Sequence, residues 1–387
     1  MRWQSPRLFR ITRYLSCCRA CSGVPWVGFC RFCTTLGINL WFSATAESVA
    51  ELSGGGRIRG MKVKLVHRFE EIIKVENLLR AWQGFIIGKR KRVDVQTYGA
   101  QLMDNLYALH DDLSQQTYCH GSYQAFKVTD PKPRQIHKAT VRDRVVHHLL
   151  YQAIYGYFDC RFIYDSYSCR LDKGAHRAMD RFNLFAGTVS HNHTRTCYVL
   201  KGDIRKFFAS IDLRLLVGIM RPSIEDESLL WLIGQVLASF NSGKPGVGLP
   251  LGNLTSQLFS NIYLNELDKY IKQELQIKYY IRYADDFVIL SDNRNELEDI
   301  VPLLQDFLEI HLKLELHPQK VFIKTYNSGV DLLGWVHFPH YRQIRTVTKR
   351  RIDKRLSIPA KSAIVNSYRG LLSHGDSYRL RQRLNLI

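Results

Sequence analysis

No stretch of the 387-residue chain reaches the roughly 18 uninterrupted apolar residues that a membrane span requires, so no membrane helix is expected. No internal repeat recurs, and the only low-complexity stretch is Ser53-Gly54-Gly55-Gly56, which removes repeat-array architectures. Acidic residues are scarce: 35 Asp and Glu stand against 55 Lys and Arg, a formal charge of +20. The deficit runs along the whole chain and reads either as a polyanionic partner, since a field of that sign attracts phosphate backbones and makes binding salt-dependent, or as a merely soluble basic protein. What the chain does have is apolar bulk. Its 45% hydrophobic and 12% aromatic residues suffice for a sizeable core in two or three packed subdomains.

Lysine is absent before Lys62, and the only acids ahead of it are Glu47 and Glu51. Composition therefore changes at Met61. Residues 1–60 are expected to be an N-terminal extension, either a disordered arm or translated upstream sequence. This leader is Arg-rich but lacks the apolar core and small-residue cleavage site of a signal peptide. Five of the nine cysteines fall in it. Cys18-x2-Cys21 and Cys30-x2-Cys33 have zinc-ribbon spacing, yet the gap between the pairs is short and no knuckle glycines accompany them, so no zinc is expected. Cys119, Cys160, Cys169 and Cys197 have no ligand spacing and are read as free thiols.

From Met61 onward, hydrophobic periodicity predicts helices over 63–88 and 97–117, joined by Lys89-Arg90-Lys91-Arg92. That basic run reads either as a nucleic-acid contact or as a solvated helix end. A strand at 123–128 leads into the proline-stiffened Asp130-Pro131-Lys132-Pro133-Arg134, and a helix follows over 141–158. Further helices are expected at 213–220, 224–240, 253–275 and 294–311, and strands near 314–325 and 331–337. Elements alternate without a regular parallel pattern, as in an α+β protein.

The chemistry concentrates at Tyr283-Ala284-Asp285-Asp286, set between the apolar runs 279–283 and 287–290, so that two adjacent carboxylates sit on a hairpin tip. Leu200-Lys201-Gly202-Asp203-Ile204-Arg205-Lys206-Phe207-Phe208 delivers a third carboxylate at the end of a β-like run. Hard divalent cations take oxygen ligands, and a two-metal phosphoryl-transfer site needs such a cluster.

In this order the segments resemble a reverse transcriptase over residues 61–357. Asp203 with its Phe-Phe pair matches the first catalytic motif, Gly248 to Gln257 the template- and nucleotide-binding motif, and Tyr283 to Asp286 the second catalytic motif. Leu333, Gly334 and Trp335 look like the primer grip, and Lys320 stands where the family carries a lysine near the triphosphate. Leu251-Gly252-Asn253-Leu254-Thr255-Ser256-Gln257 is similar to diversity-generating retroelement enzymes, whereas group II intron enzymes usually read Gln-Gly-x-x-x-Ser-Pro. One departure is that many diversity-generating retroelement enzymes carry Met or Val where Ala284 stands.

The resemblance implies a right-hand polymerase fold, with fingers and palm (an antiparallel sheet with helices) over 61–337 and a short basic helical thumb over 338–387. It implies RNA-directed DNA synthesis from a structured template RNA, with a primer, deoxynucleotides and a small basic accessory protein oligomer as partners. The location would be the cytoplasm of a bacterium or archaeon, or of a phage's host. Two Mg²⁺ ions, replaceable by Mn²⁺, would be held by Asp203, Ile204 through its carbonyl, Asp285 and Asp286. Lys132, Arg134 and Arg170 would hold the triphosphate together with Gly252, Gln257 and Lys320, while Arg142 or Arg144 touches template. Phe208 would be the steric gate against a ribose 2′-hydroxyl; the bland reading is a core aromatic. The short tail leaves no room for an RNase H, endonuclease or full maturase module, which argues against an intron role. The alternatives are a retron-like or defence-associated reverse transcriptase and a non-catalytic RNA-binding protein on a polymerase scaffold.

Overall fold

A computed structural model of the chain describes residues 64–65, 67–129, 133–356 and 362–386. The leader with its cysteine pairs, and Lys132, lie outside the described residues. Where one helix was expected over 63–88 there are two, α1 (Phe69–Ile72) and α2 (Val75–Ile86). The break comes at Lys74, whose backbone is non-helical (φ −47°, ψ 142°), and the start of α1 is tied to a distant element through the Phe69 N–H, which donates to Asp226 at 2.7 Å. In α2, Leu78, Ala81, Trp82 and Phe85 are buried, the spacing of one helical stripe. The helix expected over 97–117 likewise divides into α3 (Val93–Ala100) and α4 (Leu102–Ser114).

Strand β1 (Gln124–Val128) pairs antiparallel with β2 (Arg134–Lys138) in a separate two-stranded sheet. Behind it runs α5 (Val141–Asp159), capped by the Thr140 side chain, which accepts from the Asp143 N–H. Apolar side chains on several sides of α5 are buried, which makes it the hub of the fingers core. Helix α6 (Ala175–Val189) follows.

Next in the chain are β3 (Tyr198–Asp203), α7 (Phe207–Ser210), α8 (Leu213–Met220), α9 (Glu227–Ala238) and α10 (Leu254–Lys269), which ends in a wide π-type turn, Tyr270–Glu274. Then come β4 (Tyr280–Tyr283), β5 (Asp286–Ser291), α11 (Arg294–Leu312) and β6 (Phe322–Thr325). The four strands form one antiparallel sheet in the order β4-β5-β3-β6. Alternate residues point to opposite faces of a strand, and here both faces are covered. Leu200, Tyr280, Phe287 and Ile289 enter one core cluster, while Val199, Ile281, Val288 and Leu290 enter another. This double burial explains why the palm strands read as continuous apolar runs. The strand expected to begin near 314 shrinks to a single bridge, Ile204 to Leu316, before β6.

The strand expected at 331–337 is a tight hairpin, β7 (Val330–Leu332) and β8 (Trp335–His337), extended by β9 (Arg342–Ile344) into a three-stranded sheet. This sheet straddles the expected boundary at 337/338. Helices α12 (Thr346–Leu356), α13 (Ser362–Leu372) and α14 (Tyr378–Arg383) pack on it around Trp335, Ile344, Ile352, Leu372 and Leu380.

Candidate active site

Register brings the acidic residues together: Asp203, last in β3, is the cross-strand partner of Asp286, first in β5, and Tyr283 closes the β4–β5 turn opposite Asp286. Cα atoms of such partners are about 4.5–5.5 Å apart, so three carboxylates share one end of the sheet. Ala284 takes the left-handed conformation (φ 55°), which is costly for a residue with a Cβ. Gly202 lies opposite Phe287 in β5, and a Cβ there would stand 2.1 Å from the ring. Only glycine lets the two strands close at this point. Burial and the neighbouring Asp286 push the Asp285 carboxyl up to about 6, with Asp203 adding to the rise and Arg134 opposing it. Burial also raises Asp286, against the pull of Lys201, Arg345 and Lys320.

A second chain segment closes over Asp203. The His317 N–H donates to the Asp203 backbone carbonyl at 2.8 Å, and the Ile204 bridge to Leu316 continues this pairing. Lys320 Nζ then donates to both Asp203 carboxylate oxygens, at 2.9 and 3.0 Å. As placed, no three His, Cys, Asp or Glu side chains among the described residues form a ready metal cage; Asp203 faces Lys320 instead. The donor set is nonetheless all oxygen and crowded, which suits a hard divalent cation.

The turn preceding α10 is clasped from two sides. The Leu249 N–H donates to the Phe208 carbonyl at 2.7 Å and Gly248 N–H to Ile211 at 2.8 Å. From the fingers, the His137 N–H donates to the Leu251 carbonyl at 2.9 Å, and Asn253 Nδ2 reaches the His137 carbonyl at 3.2 Å. Gly252 (φ 112°) sits where a Cβ would meet Ile136 at 2.7 Å. Phe208 is half-buried beside Phe207, their ring centroids 5.3 Å apart. Gln257 is buried in α10 and lines, with Gly252, Lys89, Arg144 and Phe85, a cavity of about 230 Å³. Arg144 is bound to Asp94 at 2.5 Å, and Arg142 to Asp112.

Two expectations need revision. Arg170 was expected at the triphosphate, but its guanidinium is committed to the Asp159 carboxylate and to the backbone carbonyls of Asp159, Ile163 and Ser166. All five N–H donors of an arginine are thereby used, so Arg170 holds a loop. Trp335, expected in the primer grip, is fully buried, with Gly375 packed against its ring. Only Leu333 and Gly334 form the turn, both with positive φ (52° and 92°).

Sequence reasoning missed the support behind the hairpin. Arg282, wholly buried, donates to the Asp268 carboxylate at 2.7 and 2.6 Å, to Asn261 at 3.1 Å and to the Ala284 carbonyl at 3.2 Å. Tyr280 donates its hydroxyl to the same Asp268 at 2.7 Å. A signal existed: Asn261, Asn265 and Asp268 recur at i, i+4 and i+7 on a buried helix, a polar stripe that needs partners. Lys201, buried in β3, was also passed over.

A profile described as "Reverse transcriptase (RNA-dependent DNA polymerase)" matches residues 127–337. Among curated proteins, the chain is 28% identical over 281 residues to Protein YkfC of Escherichia coli, covering 61% of this chain and 71% of that protein. It is 22% identical over 277 residues to the group II intron-encoded protein LtrA of Lactococcus lactis, covering 54% of this chain but only 45% of LtrA. Among solved structures, apo telomerase from Candida tropicalis, truncated from its C-terminal domain, aligns with a TM-score of 0.45 at 10% identity, over 61% of this chain and 59% of that one. Among the described residues no helix is long and apolar enough to cross a membrane. The right-hand α+β architecture and a family match over more than half of the chain agree: this protein belongs to the reverse transcriptase family and is an RNA-directed DNA polymerase.

Proposed function

We propose that the chain copies a structured template RNA into cDNA in the error-prone manner of diversity-generating retroelements. The observation that carries this subtype is the segment Leu251-Gly252-Asn253-Leu254-Thr255-Ser256-Gln257, which enters α10 and is bound to the fingers strand β2 through Leu251 and Asn253. With Leu251 where intron enzymes carry glutamine, a polar group near the nascent base pair is missing. Discrimination that relies on buried polar groups left unpaired by the wrong partner is then weaker.

In this reading Asp203, Asp285, Asp286 and the Ile204 carbonyl would hold two Mg²⁺ ions. Lewis-acid activation of the primer 3′-hydroxyl and charge neutralisation of the leaving pyrophosphate would be the chemistry that such ions supply. The chain's own groups do the rest. Lys320, ion-paired with Asp203, and Arg134, which acts on Asp285 from the fingers, supply cations for the triphosphate, joined by Lys132. Phe208 blocks a ribose 2′-hydroxyl, and the Leu333–Gly334 turn meets the primer. A structured RNA and a basic accessory oligomer complete the working assembly.

The test is primer extension by the purified chain on a defined RNA, with product sequencing. Errors concentrated opposite template adenines are expected, and Phe208→Ala should admit ribonucleotides. Faithful copying opposite adenine would favour a retron-like enzyme, and RNA binding without any cDNA would leave only a binding scaffold.

A further inference from the structure

Lys201 occupies the middle of a palm strand, with Val288 and Phe322 as its register partners on either side. It is 9% exposed. A buried ammonium is costly unless something specific receives it, and a methionine would fill the same space without that cost. Lys201 Nζ has two neighbours. It donates to the Asp331 backbone carbonyl at 3.0 Å and stands 3.8 Å from Asp286 Oδ1. Asp331 lies in β7, one residue before the end of the strand that enters the Leu333–Gly334 turn. Its carboxylate accepts from Arg345, whose own N–H reaches back to the Gly334 carbonyl at 3.4 Å. One side chain thus touches both the carboxylate end of the palm sheet and the strand carrying the β7–β8 turn.

We propose that Lys201 is a positioning residue that fixes the distance between the palm carboxylates and the β7–β8 hairpin. A primer end held by the turn then arrives in register with Asp203 and Asp286. The functional half of this proposal rests on the polymerase reading of the site; the structural half does not.

The experiment uses the full chain with Lys201→Met, Lys201→Gln and Lys201→Arg. Amide hydrogen exchange, read without metal or nucleic acid, should accelerate across residues 330–337 in the Met variant and stay unchanged across the β4–β5 hairpin. In primer extension, kcat should fall by about tenfold or more, the usual cost of losing a group that orients a ligand-bearing side chain, with the deoxynucleotide KM unchanged. The Arg variant should recover both readouts in part. If the Met variant does not fold, the Gln variant, which keeps a donor without the charge, reads the same two quantities. Wild-type exchange at 330–337 in the folded neutral variants would overturn the proposal, as would faster exchange with an unchanged kcat. A wild-type chain that extends no primer would instead fail the polymerase reading, and the exchange measurement would still decide whether Lys201 ties the two hairpins.

Discussion

The β4–β5 and β7–β8 hairpins both turn through left-handed residues, Ala284 in one and Leu333 with Gly334 in the other, yet they are held by opposite means. Behind Ala284 lies a fully buried, mutually satisfied polar network of Arg282, Asp268, Asn261 and Tyr280. Behind Leu333 lies apolar packing around Trp335, whose indole N–H has no hydrogen-bond partner. A polar network specifies one geometry, because each donor must meet its acceptor, whereas packed apolar surface tolerates small shifts. The hairpin bearing Asp285 and Asp286 is therefore the fixed reference, and the other is positioned relative to it.

The largest effect should come at the carboxylates. Asp285→Asn is expected to reduce single-turnover primer extension on the order of 10²–10³-fold or more, the scale of losing one charge-stabilising group. It should also raise the melting temperature of the metal-free protein, because it removes a carboxylate crowded by Asp286 and Asp203. A lower melting temperature would mean that the tip is held by Asp285 itself and not by Arg282.

Removing the supports separates the two hairpins next. Asp268→Ala strands the Arg282 charge and should cost about 3–5 kcal/mol in denaturant melts, with metal-dependent activity lost even where the fold survives. Trp335→Ala should cost a similar 3–5 kcal/mol by cavity formation, and Trp335→Phe far less. A Trp335→Phe protein with full stability and normal extension would support tolerant packing there; a loss as large as that of Asp268→Ala would erase the contrast.

The smallest expected effect lies in pH dependence. The Asp285 carboxyl titrates near 6 in the folded chain, above the usual value near 3.9, so the folded state binds this proton more tightly. The stability it contributes is full below about pH 4 and is lost as pH rises through about 6. Other acids act oppositely; Lys138 and Arg144 hold Asp94 down at about 2. The readout is therefore the difference between wild type and Asp285→Asn: wild type should lose stability relative to the variant as pH rises from 4 to 6. Identical slopes would show that Asp285 is not crowded.

The palm was legible because both faces of its strands are buried, which left apolar runs flanking Asp203 and the Asp285–Asp286 tip. The β7–β8 hairpin was not legible, since Leu333 is no ordinary turn residue and its left-handed conformation is imposed by tertiary packing. Strand β2 was hidden for a similar reason: Arg134-Gln135-Ile136-His137-Lys138 contains one apolar residue and pairs only because β1 and the Leu251 carbonyl receive it. Arg170 was misread because its partner Asp159 lies eleven residues away, beyond any local pattern. Lys201 stood within a quoted motif, but nothing in the sequence brings Asp331 to it across 130 positions.

The ion pair between Arg282 and Asp268 also constrains how this hairpin can diverge. Changing either residue alone leaves a charge sealed in the interior. An apolar exchange of both would abandon the Ala284 carbonyl, the Tyr280 hydroxyl and Asn261 at once. The side chains of Asn261, Asp268, Tyr280 and Arg282 are accordingly coupled, so that one of them changes at low cost only when the others change with it, while Ala284, which gives only its backbone carbonyl, stays open to exchange.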